Sequence, residues 1–259
     1  MYVNEENSPS TGTDTSGDAR DDYRGSHATP GAVTDYIKTH EVGYYAALWR
    51  RIERPLVGET LRELGGPHRR CLDFACGTGR ITAVAAEYFA EVVGVDVSAL
   101  MLASAPRAKN VRLQQIDITK QSLRDTFDVV TAFRFFLNAE QPLRREALEA
   151  IRKHLKREGR LVCNIQMNAT SPMGVASRVT NQIPRSKKRN TMSSAEFSAL
   201  LKSAGFTVEQ VTAYGYLPRP GRLLPRFCEA CIEPAERAAR TLRIPPWFAQ
   251  QLLFVAKRR

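Results

Sequence analysis

The sequence predicts an α/β fold with a seven-stranded, mostly parallel sheet, an antiparallel last strand and helices on both faces. Short apolar runs alternate with amphipathic segments, and this alternation requires crossover connections between parallel strands. The length of 259 residues suits one large α/β domain, and 43% apolar residues suffice for its core. The last two apolar runs lack a normal helical pattern between them, which predicts that the final strand is antiparallel.

The predicted elements follow one another along the chain. A helical pattern begins at about Tyr36 and stops before the breaker Gly65-Gly66-Pro67. The predicted strands are Cys71–Ala75, Val92–Val95, Val111–Ile116, Phe127–Ala132, Leu161–Ile165, Thr207–Tyr214 and Leu252–Ala256. The further predicted helices are Ile81–Phe89, Ala99–Ala105 with Ser98 as its N-cap, 140–157 stopped by Gly159, and one that the capping box Ser193-x-x-Glu196 opens and Gly205 ends.

Charge and composition divide the chain into two regions. Residues 1–35 contain seven acidic and two basic residues and little to bury, which predicts a disordered acidic tail. Residues 36–259 form the predicted domain, with cap-like insertions at about 169–192 and 215–250. The net charge is +11, so residues 36–259 carry +16. A basic body suits an anionic substrate, a nucleic acid or a membrane surface, but solubility alone also explains it.

The sequence shows neither the features of a targeting signal nor the cysteine pattern of a disulfide-bonded protein. No apolar run approaches membrane-spanning length, and the first residues resemble no secretory signal, so we expect a cytoplasmic protein. The five cysteines are odd in number, and three lie in apolar runs or at their ends, which indicates reduced thiols. Cys228 and Cys231 form a lone C-x-x-C without a second Cys/His pair nearby, so we expect no metal.

A glycine turn follows the first predicted strand, where a doubly wound sheet binds its ligands. Gly77 and Gly79 let the backbone approach a ligand closely. Asp73 lies in the strand before the turn, and Asp96 ends the second strand, where an acid can accept hydrogen bonds from both ribose hydroxyls. A dinucleotide site favours a third glycine, but Thr82 stands there. The pattern therefore indicates an adenosine that bears a cation rather than a pyrophosphate.

These segments resemble the motifs of class I S-adenosylmethionine-dependent methyltransferases, over about residues 68–168. LDFACGTGR resembles the first motif, VVGVDVSALML the second and QQIDIT the third. The resemblance implies a Rossmann-like domain with S-adenosylmethionine as cofactor. It also implies a set of cofactor-binding residues: Asp73, Ala75, Gly77, Gly79, Asp96, Val97, Met101, Asp117, Ile118 and Phe133.

The family pattern gives several of these residues a role. Asp73 and the amides of residues 75–79 would face the methionine part, and Asp96 would hold the ribose. Val97 and Met101 would flank the adenine, while Asp117 would meet its exocyclic amine. Ala75 departs from the pattern, because the family usually has glycine at this position.

The methyl acceptor is expected beside the segment that follows the fourth strand. Nucleobase amino-methylating enzymes typically carry Asn/Asp-Pro-Pro-aromatic here, and the chain instead resembles the small-molecule, quinone-biosynthesis-like branch. The predicted substrate-binding residues are Arg134, Asn138, Gln166 and Asn168. No general base is identified; Asn138, Gln166 and His40, which lies in an N-terminal helix that often lids the cofactor in this family, are the catalytic candidates.

Three functions fit this pattern. The first is methyl transfer to an oxygen, nitrogen or carbon atom of a small acceptor that is acidic or amphipathic. The second is an RNA methyltransferase, which the basic loops favour and the missing nucleobase motif opposes. The third is a non-catalytic protein that has the same fold and binds a partner. The sequence does not indicate the oligomeric state.

Overall fold

The computed structural model describes residues 43–183, 189–217 and 225–259, without the side chains of 225–228. The predicted tail at 1–35 and His40, together with parts of both predicted insertions, lie outside these ranges. Among the residues within them, no helix combines the length and apolar character needed to cross a bilayer.

Seven strands form one sheet in the described chain. They are β1 (Gly66–Phe74), β2 (Phe89–Asp96), β3 (Val111–Gln115), β4 (Phe127–Ala132), β5 (Leu155–Gln166), β6 (Phe206–Tyr214) and β7 (Gln251–Arg258). Their order is β3-β2-β1-β4-β5-β7-β6, and β7 runs antiparallel to both of its neighbours. Strands β1 to β5 pair in parallel. The predicted fold class is therefore confirmed.

The helices lie between these strands. A first helical segment comprises α1 (Tyr44–Leu48), a π-helical turn (Trp49–Glu53) and α2 (Arg54–Leu64). It is followed by α3 (Arg80–Ala85), α4 (Ala99–Ala103), α5 (Gln141–His154), α6 (Pro172–Thr180), α7 (Ser194–Ser203), α8 (Pro225–Thr241) and a 3-10 turn (Pro246–Phe248). The Ser98 cap on α4 and the Ser193/Glu196 capping box on α7 are confirmed.

Two predictions about connections are wrong. Gly159 does not stop α5, because the helix ends at His154 and β5 begins at Leu155 and runs through the glycine. The connection between β6 and β7 contains α8, a 17-residue helix with Pro234 inside it. The insertion predicted at about 169–192 contains α6, which has Pro172 in its first turn and is capped by the Ser171 hydroxyl.

The core lies on both faces of the sheet. On one face, α5 and α7 pack against the strands, and five phenylalanines form a chain of edge-to-face contacts: Phe74, Phe135, Phe136, Phe197 and Phe254. On the other face, the first helical segment and α3 cover β1, β4 and β7 through Leu48, Leu61 and Val84. These layers leave the carboxyl ends of the parallel strands as one edge of the domain.

Candidate functional site

Three neighbouring strands turn sharply at this edge. Ala75, Arg134 and Met167 follow β1, β4 and β5 within two residues, and their φ angles are 53°, 58° and 51°. Residues other than glycine rarely adopt this left-handed backbone conformation, and its strain is concentrated at functional sites. The edge formed by β1, β4 and β5 is therefore the first place to look for a site.

The two glycines in the turn after β1 differ in their surroundings: one borders open space and the other is closely packed. Gly77 has a φ of 54°, and a Cβ built there would meet no described atom within 4 Å. Gly79 has a φ of 72°, and its Cβ would lie 2.6 Å from Pro106 Cδ and 2.9 Å from Ala105 Cβ. The turn thus leaves space for a ligand above Gly77, while Gly79 is pressed against the segment that follows α4.

Asp73 lies beneath this turn and is 1% exposed. Its carboxylate accepts hydrogen bonds from the hydroxyls of Thr82, at 2.6 Å, and Thr131, at 2.7 Å. Burial raises the pKa of Asp73 to about 6, although both hydroxyl bonds act in the opposite direction. The site therefore contains a carboxylate that ionises close to neutral pH.

Asp96 joins the end of β2 to the glycine turn. Its Oδ2 accepts a hydrogen bond from the Gly77 amide at 2.8 Å, and its Oδ1 accepts one from the Ser98 amide at 2.9 Å. These two bonds orient the carboxylate at the end of β2. Asp96 thereby lies between the open space at Gly77 and the N-terminus of α4.

A buried ion pair lies on the other side of the edge. Glu53, which is 1% exposed, accepts a hydrogen bond from Arg134 Nη2 at 2.9 Å. Its second oxygen accepts from the Tyr214 hydroxyl at 2.7 Å and from the Asn164 amide at 3.1 Å. Burial raises the pKa of Glu53, but the charge of Arg134 and the bond from Tyr214 outweigh it and hold that pKa below its usual value. The network connects the π-helical turn to the carboxyl ends of β4, β5 and β6.

Comparison with known proteins agrees with this architecture. Residues 71–159 match the family model described as "Methyltransferase domain". A crystal structure of an S-adenosylmethionine-dependent methyltransferase from Mesorhizobium loti superposes with a TM-score of 0.54 at 22% identity, covering 82% of this chain and 98% of that one. The chain therefore shares the fold of that methyltransferase.

Two curated relatives match shorter parts of the chain. The probable S-adenosylmethionine-dependent methyltransferase CRG1 of Saccharomyces cerevisiae is 35% identical over 80 residues, or 30% of this chain and 28% of that protein. The cypemycin N-terminal methyltransferase of a Streptomyces species is 36% identical over 116 residues, or 43% of each chain. The chain thus spans less than half the length of the curated relatives it matches.

The remaining residues that were predicted to bind the cofactor lie around the start of α4, after β3 and directly after β4. Val97 is 39% exposed, whereas Met101, Ile118 and Phe133 are buried. Asp117 is half-buried, and its Oδ1 accepts hydrogen bonds from the amide and hydroxyl of Thr119. The predicted cofactor residues therefore lie at the carboxyl ends of β1, β2 and β4 and in the turn that follows β3.

The predicted acceptor residues differ in their surroundings. Asn138 is exposed, and its amide donates to the Arg134 carbonyl at 3.0 Å. Gln166 ends β5 and is half-buried. Asn168 is fully buried, and its amide donates to the carbonyls of Trp247 and Ala249, both at 3.1 Å. Asn168 thus joins the end of β5 to the chain that leads into β7.

Sequence reasoning missed the residues that surround the buried charges. Glu53, Asn164 and Tyr214 were not expected at the site, and neither was Thr131 as a partner of Asp73. A polar residue inside a predicted core strand is the one available signal, and it applies to Thr131 and Asn164. Glu53 shows no such signal, because charged residues are ordinary in an amphipathic helix.

Proposed function

We propose that the chain is an S-adenosylmethionine-dependent methyltransferase that acts on a small-molecule acceptor. The observation that carries the proposal is the juxtaposition of an open glycine turn at Gly77 with the two carboxylates of Asp73 and Asp96. The match of residues 71–159 to a methyltransferase domain and the names of both curated relatives support it. The accepting atom is proposed to be oxygen, nitrogen or carbon.

The residues at the turn fit this cofactor. The space above Gly77 would admit the cofactor close to the protein backbone, and the Asp96 carboxylate would accept the ribose hydroxyls. We place Val97, Met101, Asp117 and Ile118 around the adenine, and Ala75, Gly79 and Phe133 beside the methionine part. Asp73 favours a cationic ligand through its charge, since a buried carboxylate is stabilised by a nearby positive group.

Methyl transfer makes few chemical demands on the protein. S-adenosylmethionine supplies a methyl group already activated by a positive sulfur. The chain has to align the acceptor in line with the sulfur–carbon bond and exclude water. We propose that four residues at or just after the carboxyl ends of β4 and β5 contribute to the acceptor side: Arg134, Asn138, Gln166 and Asn168. Asn138, Gln166 and His40 remain the proposed catalytic residues.

Calorimetry with S-adenosylhomocysteine and NAD tests the cofactor. We expect S-adenosylhomocysteine to bind at micromolar affinity and NAD not to bind. Asp96→Ala should weaken S-adenosylhomocysteine binding by about 2–3 kcal/mol, because it removes charge-assisted hydrogen bonds in a desolvated site. Asp128→Ala is the matched control, since Asp128 pairs with Lys156 at the amino end of β4. Preference for NAD, or equal losses in both variants, would refute the assignment.

Transfer of label from radioactive S-adenosylmethionine in a cell extract tests the acceptor class. We expect label in the small-molecule fraction, because the segment after β4 lacks the Asn/Asp-Pro-Pro-aromatic motif that is typical of enzymes that methylate nucleobase amino groups. Label recovered in RNA that ribonuclease releases would favour the RNA methyltransferase instead. Absence of turnover with normal cofactor binding would favour the non-catalytic alternative.

A further inference from the structure

Two consecutive glutamines are buried where the chain enters β7. Gln250 is 4% exposed and Gln251 is 5% exposed. Within the part of the chain that the structure describes, neither Nε2 of Gln250 nor Oε1 of Gln251 has a hydrogen-bond partner. A buried amide atom without a partner destabilises the folded protein, and native structures contain few such atoms. The two amides at this position therefore require a physical explanation.

The register of the sheet places Gln251 at the carboxyl edge of the parallel strands. Strand β7 runs antiparallel to β5 and β6, so its first residue lies beside the last residue of each neighbour. Gln251 is opposite Gln166 on one side and Tyr214 on the other. Opposite residues on antiparallel strands share a face of the sheet, with Cβ atoms about 5 Å apart. The Gln251 side chain therefore lies next to Gln166, which is half-buried and belongs to the proposed acceptor side.

The burial pattern identifies the face of the sheet that Gln251 occupies. Side chains alternate along a strand, and Leu253, two residues further on, packs in the cluster under the first helical segment. Gln251 points to the same face. The Tyr214 hydroxyl on this face donates to Glu53 at 2.7 Å and accepts from Asn164 at 3.2 Å. The hydroxyl on the neighbouring strand thus already has partners, and Oε1 of Gln251 can accept from a ligand.

The backbone around Gln251 is held in place. The Gln250 carbonyl accepts from the Asn168 amide at 2.9 Å, and the Gln250 amide donates to the Gly215 carbonyl at 3.2 Å. A Cβ on Gly215 would lie 3.1 Å from Gln251 Cγ, and the Gly215 amide donates to Glu236 at 3.0 Å. These contacts restrict the side chain of Gln251 before any ligand arrives. Such preorganisation lowers the entropic cost of binding.

The position of β7 in the sheet distinguishes the two reactants of the proposed reaction. The glycine turn follows β1, and β7 is the third strand from β1 in the order β1-β4-β5-β7. Neighbouring strands are about 4.8 Å apart, so β7 lies about 14 Å from β1. The proposed cofactor contacts the ends of β1 and β2 on the other side of that strand. The methyl acceptor is therefore the reactant that Gln251 is placed to meet.

We propose that Gln251 binds the methyl acceptor, with its Oε1 accepting a hydrogen bond from an N–H or O–H group of that molecule. The inference rests on the proposed function and adds to it a residue and a chemical class of acceptor. An acceptor with such a group pairs the buried oxygen, whereas one without it leaves the oxygen unpaired. The amide thereby selects acceptors that carry a hydrogen-bond donor.

Gln251→Met tests this role, because methionine has a similar volume and no amide. The small-molecule filtrate of a cell extract supplies the acceptor, and radioactive S-adenosylmethionine supplies the label. We expect the initial rate at low filtrate concentration to fall about tenfold and to recover as the filtrate concentration rises. The melting temperature should stay constant or rise, because an unpaired buried amide is removed. Calorimetry should show unchanged affinity for S-adenosylhomocysteine.

Gln210→Met is the matched control. Gln210 is exposed and lies on the same face of the sheet, four residues before Tyr214 in β6. This variant should change neither the rate, the melting temperature nor the affinity for S-adenosylhomocysteine. A trideuteromethyl cofactor and mass spectrometry then identify the methylated product and its parent molecule. We expect a parent that carries an N–H or O–H group.

Three outcomes would overturn the proposal. The first is an unchanged rate in Gln251→Met, which is expected if water alone binds the amide. The second is a fall in rate that is accompanied by a lower melting temperature, which is expected from a purely structural residue. The third is a parent molecule with neither N–H nor O–H. Absence of label transfer by the wild-type protein would instead reject the proposed function, and this inference with it.

Discussion

Asp73 and Glu53 are two carboxylates at the same edge, equally buried and differently surrounded. Asp73 accepts hydrogen bonds from two neutral hydroxyls, and burial raises its pKa to about 6. Glu53 accepts from a guanidinium, a phenol and an amide, and its pKa lies below the usual value despite the same burial. The charge of Arg134 is thus the main difference between the two environments, and it lowers the pKa of Glu53 where hydrogen bonds alone leave that of Asp73 raised.

The difference separates two functions within the site. Glu53 already has its cation within the protein. No basic side chain in the described ranges forms an ion pair with Asp73, whose carboxylate remains suited to a positive ligand. This asymmetry agrees with a cofactor that carries positive charge beside β1. It also predicts that the two carboxylates respond differently to substitution and to pH.

The largest expected effect comes from breaking the ion pair. Glu53→Ala should lower the free energy of unfolding by about 3–5 kcal/mol, because it leaves the guanidinium of Arg134 without its buried partner. Urea denaturation at neutral pH measures this loss. Glu59→Ala is the control, since Glu59 forms an exposed pair with Arg62. Similar losses for the two variants would show that Glu53 is not energetically distinct from a surface glutamate.

A smaller effect is expected from removing one hydroxyl beside Asp73. Thr131→Val keeps the shape of the side chain and deletes the 2.7 Å bond to the carboxylate. We expect a loss of about 1.5–3 kcal/mol at slightly alkaline pH, where the carboxylate is ionised. Thr207→Val, at an exposed position of β6, is the matched control. The loss should shrink in acid, and a loss independent of pH would contradict the ionised state of Asp73.

The smallest effect is a pH-dependent difference between Asp73→Asn and wild type. The folded-state pKa of Asp73 is raised to about 6, so its ionisation destabilises the folded protein above that pH, and protonation relieves this cost as pH falls. The variant lacks this response. The free energy of unfolding of the variant minus that of wild type should therefore be about 1 kcal/mol larger at about pH 8 than at about pH 5. Thermal denaturation at both pH values measures the difference, and a reversed sign would exclude the raised pKa.

Much of the sheet could be predicted from local sequence because each strand is a short apolar run. The prediction for β4 gave Phe127–Ala132, the same bounds that the structure shows. The prediction of secondary structure failed where a proline or glycine lies inside a helix or strand. No helix was predicted between β6 and β7, yet α8 lies there with Pro234 inside it, and Gly159 was predicted to stop a helix but lies within β5. Pairing with β7 and packing against the first helical segment overrode these local preferences.

The site was predictable in part for a similar reason. Asp73 and Asp96 stand next to the glycine turn in sequence, so their positions follow from the strand pattern. Glu53 and Arg134 are 81 residues apart, and their contact depends on how the π-helical turn lies over the sheet. No local pattern encodes that placement. The cofactor side was therefore accessible to sequence reasoning, and the buried pair was not.

The contact between Gly79 and the segment after α4 has a mechanical consequence. Because no side chain fits between Gly79 and Pro106, the turn after β1 and the connection after α4 touch backbone against ring. A displacement of one therefore displaces the other. In the proposed complex these two segments would contact opposite ends of one ligand. Binding of the adenosine would therefore also fix the position of the glycine turn next to the sulfur of the methyl donor. The two segments would then bind the ligand as one rigid unit rather than as two independent contacts.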